Sequence, residues 1–117
     1  MANINHSINY VEFPLADPAA TKAFYTTAFG WAFTDWGPDY IRFAGAGVEG
    51  GFNRESGVLP GAPGVLVILY ANDLALTEQR IVEAGGTIST PAYVFPGGRR
   101  FHFKDPNGNE LAVWSER

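Results

Sequence analysis

The chain has 117 residues, a net charge of −4, 14 glycines, 8 prolines and no cysteine. The length suits one ordinary domain, and the aromatic-rich, turn-rich composition is typical of a folded protein. Without cysteine there are no disulfides, thiolate metal sites or cysteine nucleophiles, and without a basic run nucleic-acid binding is not expected. No apolar stretch approaches the ~20 residues that span a bilayer, and the start shows no secretory signal, so a cytoplasmic protein is expected.

The first half of the chain predicts a strand, a helix and three more strands. Asp17 before Pro18 is typical of a helix start, with Asp as N-cap and Pro at the first helical position. Gly30 is the expected stop, because glycine tolerates the left-handed conformation that ends many helices. The predicted elements are strands at 8–14, 31–34, 40–43 and near 52, with a helix from 17 to about 28.

The second half repeats this order. Asn72 or Asp73 is the expected cap of a second helix, which ends at Gly85-Gly86. Asp105-Pro106-Asn107-Gly108 reads as a tight turn, since Pro presets φ, Asn and Gly tolerate positive φ, and Asp can accept bonds from the turn backbone. The predicted elements are strands at 65–70, 87–89, 99–104 and 109–114, with a helix ending near 84.

Matching positions in the two halves indicate an internal repeat. Asp17 and Asp73 lie 56 positions apart, as do Gly30 and Gly86. The sequence therefore predicts one α+β domain over 1–117, built from two strand–helix–three-strand modules. Module one covers about 6–55, a Gly/Pro-rich linker about 56–63, and module two about 64–116.

Motifs in both modules carry a family resemblance. Residues 10–18, followed by Phe24-Tyr25 and 29–31, look like the opening module of the glyoxalase/bleomycin-resistance/extradiol-dioxygenase superfamily, the vicinal oxygen chelate proteins. Residues 83–86 and 105–109 resemble its closing module. The resemblance implies tandem βαβββ modules forming a curved mixed sheet around a cavity. It also implies a homodimer, because the partner chain completes the site in many short members.

Alternation along the strands predicts which side chains face that cavity. Ile41, Phe43, Phe101 and Phe103 belong to the more apolar face and should lie against the helices. The opposite face should then be aromatic with a few polar groups, which is typical of a small-molecule pocket. The predicted ligand contacts are Tyr10, Tyr40, Arg42, Ile68, Arg100 and Trp114.

Two residues on that face are candidates for chemistry. Histidine side chains in general can act as acid or base near neutral pH, so His102 is a candidate, although a strand histidine with satisfied hydrogen bonds is the alternative. Glu12 would be unfavourable to bury alone. We therefore expect an ion pair between Glu12 and Arg42 or Arg100, with a catalytic base as the other reading.

The resemblance also implies four metal-ligand positions, two in each module. In metal-dependent members they hold His, Gln or Glu, which supply the donors that divalent ions prefer. Here they fall on Tyr10, Gly51, Leu66 and Ala112, and three of these have no side-chain donor. No metal or other cofactor is predicted, with a divalent metal at an unrecognised site as the alternative.

Two functions remain open from the sequence. The first is a metal-free protein that holds an aromatic or amphipathic small molecule. The second is an enzyme of the same superfamily, a lyase, isomerase or dioxygenase. It would either depend on a metal or use His102 and Glu12 as acid and base.

Overall fold

A computed structural model describes residues 3–6, 8–60 and 64–116. It contains eight strands and two helices in those ranges. In chain order they are β1 Tyr10–Pro14, α1 Pro18–Phe29, β2 Ala32–Asp35, β3 Tyr40–Ala44, β4 Glu49–Asn53, β5 Val67–Tyr70, α2 Leu74–Glu83, β6 Thr87–Phe95, β7 Gly98–Lys104 and β8 Glu110–Ser115. Neither helix is long and apolar enough to cross a membrane.

The strands form two four-stranded mixed sheets of identical topology. The first has the order β1-β4-β3-β2 and the second β5-β8-β7-β6. In each sheet the first strand pairs in parallel with the fourth, and the remaining pairs are antiparallel. The α+β fold of two βαβββ units predicted from the repeat is confirmed. The first sheet lies within predicted module one and the second within module two, while positions 61–63 of the predicted linker lie outside the described residues.

Both helices begin at their predicted N-caps, and α1 ends at Gly30 as predicted, while α2 ends at Ala84, one residue before the predicted Gly85-Gly86 stop. The Asp17 side chain accepts a hydrogen bond from the amide of Ala20 at 3.0 Å, and Asp73 accepts one from Leu76 at 3.0 Å. These bonds satisfy amide groups that have no partner inside the helix. Gly30 ends α1 with a φ of 75°, in the left-handed region that favours glycine.

The core lies between the helices and one face of each sheet. The four strand residues predicted to face inward, Ile41, Phe43, Phe101 and Phe103, are all at most 2% exposed. Phe103 meets Phe24 of α1, with the two ring centroids 5.9 Å apart. Because side chains alternate between the two faces of a strand, the intervening residues lie on the sheet faces turned away from the helices.

Strand β6 departs most from the sequence expectation. It runs for nine residues instead of the three predicted, and its pairing with β7 shifts register twice, between Ile88 and Thr90 and between Thr90 and Tyr93. Such irregularities bend a strand and change which side chains share a face. The extension matters because it brings Tyr93 and Phe95 opposite Arg100 and Gly98.

The turn between β7 and β8 is buried against module one, which the sequence did not indicate. Asn107 Oδ1 accepts hydrogen bonds from the amides of Ala16 and Asp17 at 2.7 and 3.2 Å and from the Thr21 hydroxyl at 3.0 Å. Asn109 Nδ2 donates to the carbonyl of Pro14 at 3.0 Å. The turn thus supplies acceptors and donors to the start of α1, some 90 positions earlier in the chain.

Asp105 organises the turn from within. Its carboxylate accepts bonds from the amides of Asn107 and Asn109 at 2.8 and 2.9 Å and from the Tyr25 hydroxyl at 2.8 Å. Burial raises the pKa of Asp105, and the bonds from Tyr25, Asn109 and Asn107 oppose that rise. Burial and the nearby Asp105 charge raise the pKa of Tyr25 well above its usual value, so this phenol remains a donor.

Candidate functional site

The sheet faces turned away from the helices carry two clefts. The first cleft, of about 310 Å³, is lined by Tyr10, Trp36, Tyr40 and Arg42 of the first sheet. The second cleft, of about 360 Å³, belongs to the second sheet and is lined by Ile68, Phe95, Pro96, Gly97, Arg100 and Trp114. All six side chains predicted to contact a ligand line one cleft or the other.

The polar groups of the first cleft are already engaged with one another. The hydroxyls of Tyr10 and Tyr40 share a short hydrogen bond, and Arg42 forms an ion pair with Glu49. The Arg42 guanidinium also lies 5.8 Å from the centroid of the Tyr10 ring. Burial, and then the hydrogen bonds with Tyr10 and Glu12, raises the pKa of Tyr40. Its phenol therefore stays protonated at neutral pH.

The expected ion pair of Glu12 with an arginine is wrong. Glu12 instead accepts hydrogen bonds from Asn53 Nδ2 at 3.2 Å and from the Tyr40 hydroxyl. Arg42 and Glu12 both stand opposite Gly51, so a whole strand separates them. Glu49 is a diagonal neighbour of Arg42 across the β3–β4 pair and is within easier reach.

The second cleft combines aromatic walls with one cation. The Trp114 ring centroid lies 5.1 Å from that of Tyr70 and 6.1 Å from that of Phe95. The Arg100 guanidinium carbon lies 5.6 Å from the centroid of Phe95 and 5.5 Å from that of Tyr93. Arginine over aromatic faces is a favourable cation–π arrangement, so both rings help to hold Arg100 in place.

A chain of hydrogen bonds continues from Arg100 along the same sheet face. Arg100 Nε donates to the Tyr93 hydroxyl, which lies 3.0 Å from His102 Nε2. His102 Nδ1 lies 2.9 Å from Glu110 Oε2. An ionised carboxylate only accepts, so neutral His102 carries its proton on Nδ1 and Nε2 is the acceptor for Tyr93. His102 is therefore held by a carboxylate and a phenol, and that carboxylate is Glu110.

The two predicted acid/base candidates stand on different sheets. His102 lies on β7 and Glu12 on β1, and neither hydrogen bond of His102 involves Glu12. Within this chain the structure thus groups His102 with Glu110 and Tyr93, and Glu12 with Tyr40. The catalytic roles of His102 and Glu12 remain predictions.

The four family metal positions do not match a metal-binding set. Ala112 is fully buried, and neither it nor Leu66 and Gly51 has a donor side chain. At Gly51 the space itself is taken, because an added Cβ would lie 2.6 Å from the Tyr40 ring. The remaining position, Tyr10, bonds to Tyr40. Among the described residues no three His, Asp or Glu side chains converge as a metal site would require.

Sequence reasoning missed the side chain of Phe95 in the second cleft, and Tyr93 and Glu110 in the hydrogen-bond chain. Tyr93 and Phe95 were missed because β6 was predicted to end at Ser89. Glu110 was not among the predicted site residues. A usable signal was present: Tyr93 and Phe95 alternate with Val94 just before the Pro96-Gly97-Gly98 turn, which is a strand pattern.

Comparisons with known proteins agree with this architecture. The model of the Glyoxalase/Bleomycin resistance protein/Dioxygenase superfamily matches residues 7–113. The anthracycline biosynthesis protein DauV of Streptomyces sp. (strain C5) is 33% identical over 117 residues, covering 84% of this chain and 42% of DauV. The chain thus spans less than half the length of the curated relatives it matches.

Solved structures share the fold at lower identity. A glyoxalase-related enzyme from Fulvimarina pelagi has a TM-score of 0.79 at 21% identity and covers 94% of this chain and 88% of its own. TnmS3, an antibiotic binding protein from Streptomyces sp. CB03234, has a TM-score of 0.70 at 23% identity and covers 98% of both chains. At these identities the likeness shows the shared fold alone.

Proposed function

This chain belongs to the glyoxalase/bleomycin resistance protein/dioxygenase superfamily, and we propose that within it the chain is a metal-free small-molecule-binding protein. Its ligand is aromatic or amphipathic and lies in the second cleft. The observation that carries the proposal is the cleft itself, with Trp114, Phe95 and Ile68 around a single arginine. Specific small-molecule sites have this make-up of apolar walls and a few placed polar groups.

The donor set supports the metal-free part of the proposal. Leucine, alanine and glycine at three of four family ligand positions leave a divalent ion without coordination there. The carboxylates two residues away from those positions are also engaged, Glu49 with Arg42, Glu110 with His102 and Glu12 with Asn53 and Tyr40. Binding through rings and hydrogen bonds is what the remaining side chains can supply.

Two relatives support binding of an aromatic natural product. DauV carries the name of an anthracycline biosynthesis protein, and TnmS3 is described as an antibiotic binding protein. An anthracycline is a planar, ring-rich molecule, which suits walls formed by Trp114 and Phe95. Planar aromatic compounds are therefore the first ligands to test.

A homodimer forms part of the proposal. Strands β1 and β5 are sheet edges, and both carry large apolar side chains at the surface. Tyr10 is 39% exposed on β1, while Ile68 and Tyr70 are 42% and 50% exposed on β5. Unpaired edges with apolar side chains are favourable sites for a second chain. A partner placed along them would contact Tyr10 of the first cleft and Ile68 of the second.

The experiment combines binding, metal content and mass. Equilibrium dialysis against a panel of planar aromatic and amphipathic compounds should retain at least one of them at micromolar concentration. Elemental analysis of protein purified without chelators should find no stoichiometric Zn, Ni, Mn or Fe, and light scattering should give twice the chain mass of 12.7 kDa. No retained compound would remove the binding function, and a stoichiometric metal would remove the metal-free part.

An enzyme is the second candidate, and a specific observation favours it. Glu110, His102 and Tyr93 form a carboxylate–imidazole–phenol chain beside the second cleft, an arrangement suited to general acid–base catalysis. In this reading His102 exchanges a proton with Tyr93 or with the ligand while Glu110 holds the imidazole. A ligand that emerges unchanged in mass and isomeric form after prolonged incubation argues for binding alone. Conversion that is lost in His102→Gln, with binding retained, argues for the enzyme.

A further inference from the structure

Arg100 is the cation of the second cleft, and no carboxylate neutralises it. Two arginines of the first module form ion pairs, Arg42 with Glu49 and Arg54 with Asp39. Among the described residues, by contrast, no acidic side chain lies within ion-pair distance of Arg100. Its contacts are the rings of Tyr93 and Phe95 and the Tyr93 hydroxyl. A half-buried cation of this kind favours an anion nearby.

The hydrogen-bond chain fixes this cation in one orientation. Glu110 holds the proton of His102 on Nδ1, and Nε2 then accepts from the Tyr93 hydroxyl. The phenol oxygen is left to accept from Arg100 Nε. This bond uses one of the five guanidinium N–H donors, so four donors on the two Nη atoms remain for other partners. Their planar fork matches the two oxygens of a carboxylate.

We propose that the second cleft selects a planar aromatic ligand that carries an anionic oxygen, a carboxylate or phenolate, and binds that oxygen through the Nη groups of Arg100. The ligand ring lies against Trp114 and Phe95, which line the same cleft. This selectivity rests on the proposed binding function and adds the chemical class of the ligand. The first cleft lacks this selectivity, because Glu49 already neutralises Arg42.

The positions of Arg99 and Arg100 provide a matched control. Arg99 is exposed, stands opposite Ser115 and projects to the other side of the same strand. Arg100 stands opposite Trp114 and lines the cleft. Replacing either arginine by glutamine changes the net charge of the protein equally, so only a local role can separate the two variants.

The test measures calorimetric binding of three naphthalene probes to the full chain at pH 7.5 and low salt. They are 2-naphthoate, its neutral methyl ester, and the cation 2-naphthylmethylammonium. The wild type should bind 2-naphthoate at least tenfold more tightly than the ester and the ammonium probe more weakly than either. Arg100→Gln should abolish the preference for 2-naphthoate over the ester, and Arg99→Gln should keep it. Arg100→Lys, which keeps the charge but not the fork, should lose most of it.

The outcomes distinguish a failure of the anion selectivity from a failure of the proposed binding function. Equal affinity of the wild type for 2-naphthoate and its ester overturns the anion selectivity while leaving the binding function intact. A preference that survives in Arg100→Gln, or that disappears equally in Arg99→Gln, also overturns it. Failure of all three probes to bind overturns the proposed binding function together with the selectivity. The wild-type comparison needs no variant, so a variant that does not fold leaves the test decisive.

Discussion

Replacing Asn107 by alanine should destabilise the protein far more than replacing an exposed asparagine. Asn107 Oδ1 accepts hydrogen bonds from the amides of Ala16 and Asp17 just before α1, and the residue is only 8% exposed. Each such bond contributes about 1 kcal/mol net, and leaving a buried donor without a partner costs about as much or more. The Thr21 hydroxyl keeps the Asp17 carbonyl as its acceptor at 2.6 Å, so two amides lose their partner. They give a loss of about 2 kcal/mol, or a Tm lower by about 8 °C for a domain of this length.

Urea unfolding followed by circular dichroism measures this loss. The control is Asn72→Ala, because Asn72 is exposed just before α2 and has no side-chain hydrogen bond among the described residues. It should change the free energy of unfolding by less than about 0.5 kcal/mol. A loss below about 1 kcal/mol for Asn107→Ala, at an unchanged dependence on urea, would mean that water replaces the side chain. The buried turn would then not be a structural link between the modules.

Two further predictions concern a backbone approach and a buried acid. Gly50→Ala should lower the free energy of unfolding by several kcal/mol, because its Cβ would lie 2.1 Å from the backbone oxygen of Val11. Gly57→Ala meets nothing within 4 Å and should be near neutral in the same unfolding assay, so similar losses would contradict the close approach. Burial raises the pKa of Asp105 above 3.8, so the protonated side chain stabilises the folded state. This stabilisation is fully present below pH 3.8 and is lost as the pH rises through the folded-state pKa. A carbon-13 titration of the Asp105 carboxyl group should therefore show a midpoint above 3.8. A midpoint below 3.8 would mean that Asp105 stabilises the protein at higher pH and not at lower pH.

The helix boundaries and the repeat could be predicted because their signals are local. Asp17, Asp73 and Gly30 act through bonds and dihedral angles within one helical turn, which a sequence displays directly. The alternation that buries Phe101 and Phe103 is equally local. These features need no knowledge of which distant segments meet.

Strand β6 was underpredicted because its pattern is broken by its own irregularities. Two register shifts interrupt the period of two, and Pro91 within the strand argues against a regular ladder. Tyr93 and Phe95 were lost from the predicted cleft with the second half of that strand. The strand tolerates Pro91 because β6 is an edge of its sheet.

The pairing of charges could not be read from the sequence for a different reason. Glu12, Arg42 and Glu49 were all visible, but their partners depend on the register of β4 against its neighbours. A shift of one residue exchanges the faces of every side chain on a strand. Alternation gives the face of a residue without saying which neighbour it meets, and so Glu110 beside His102 was also missed.

The docking of the β7–β8 turn onto α1 makes the two modules unequal. The start of α1 depends on a segment of module two, whereas the described residues show no hydrogen bond from the corresponding turn at 45–48 to α2. The bonds from the β7–β8 turn to the start of α1 join segments about 90 positions apart, and contacts of such long range slow folding. A duplicated sequence pattern has in this way become one linked unit, in which the β7–β8 hairpin holds the start of the first helix.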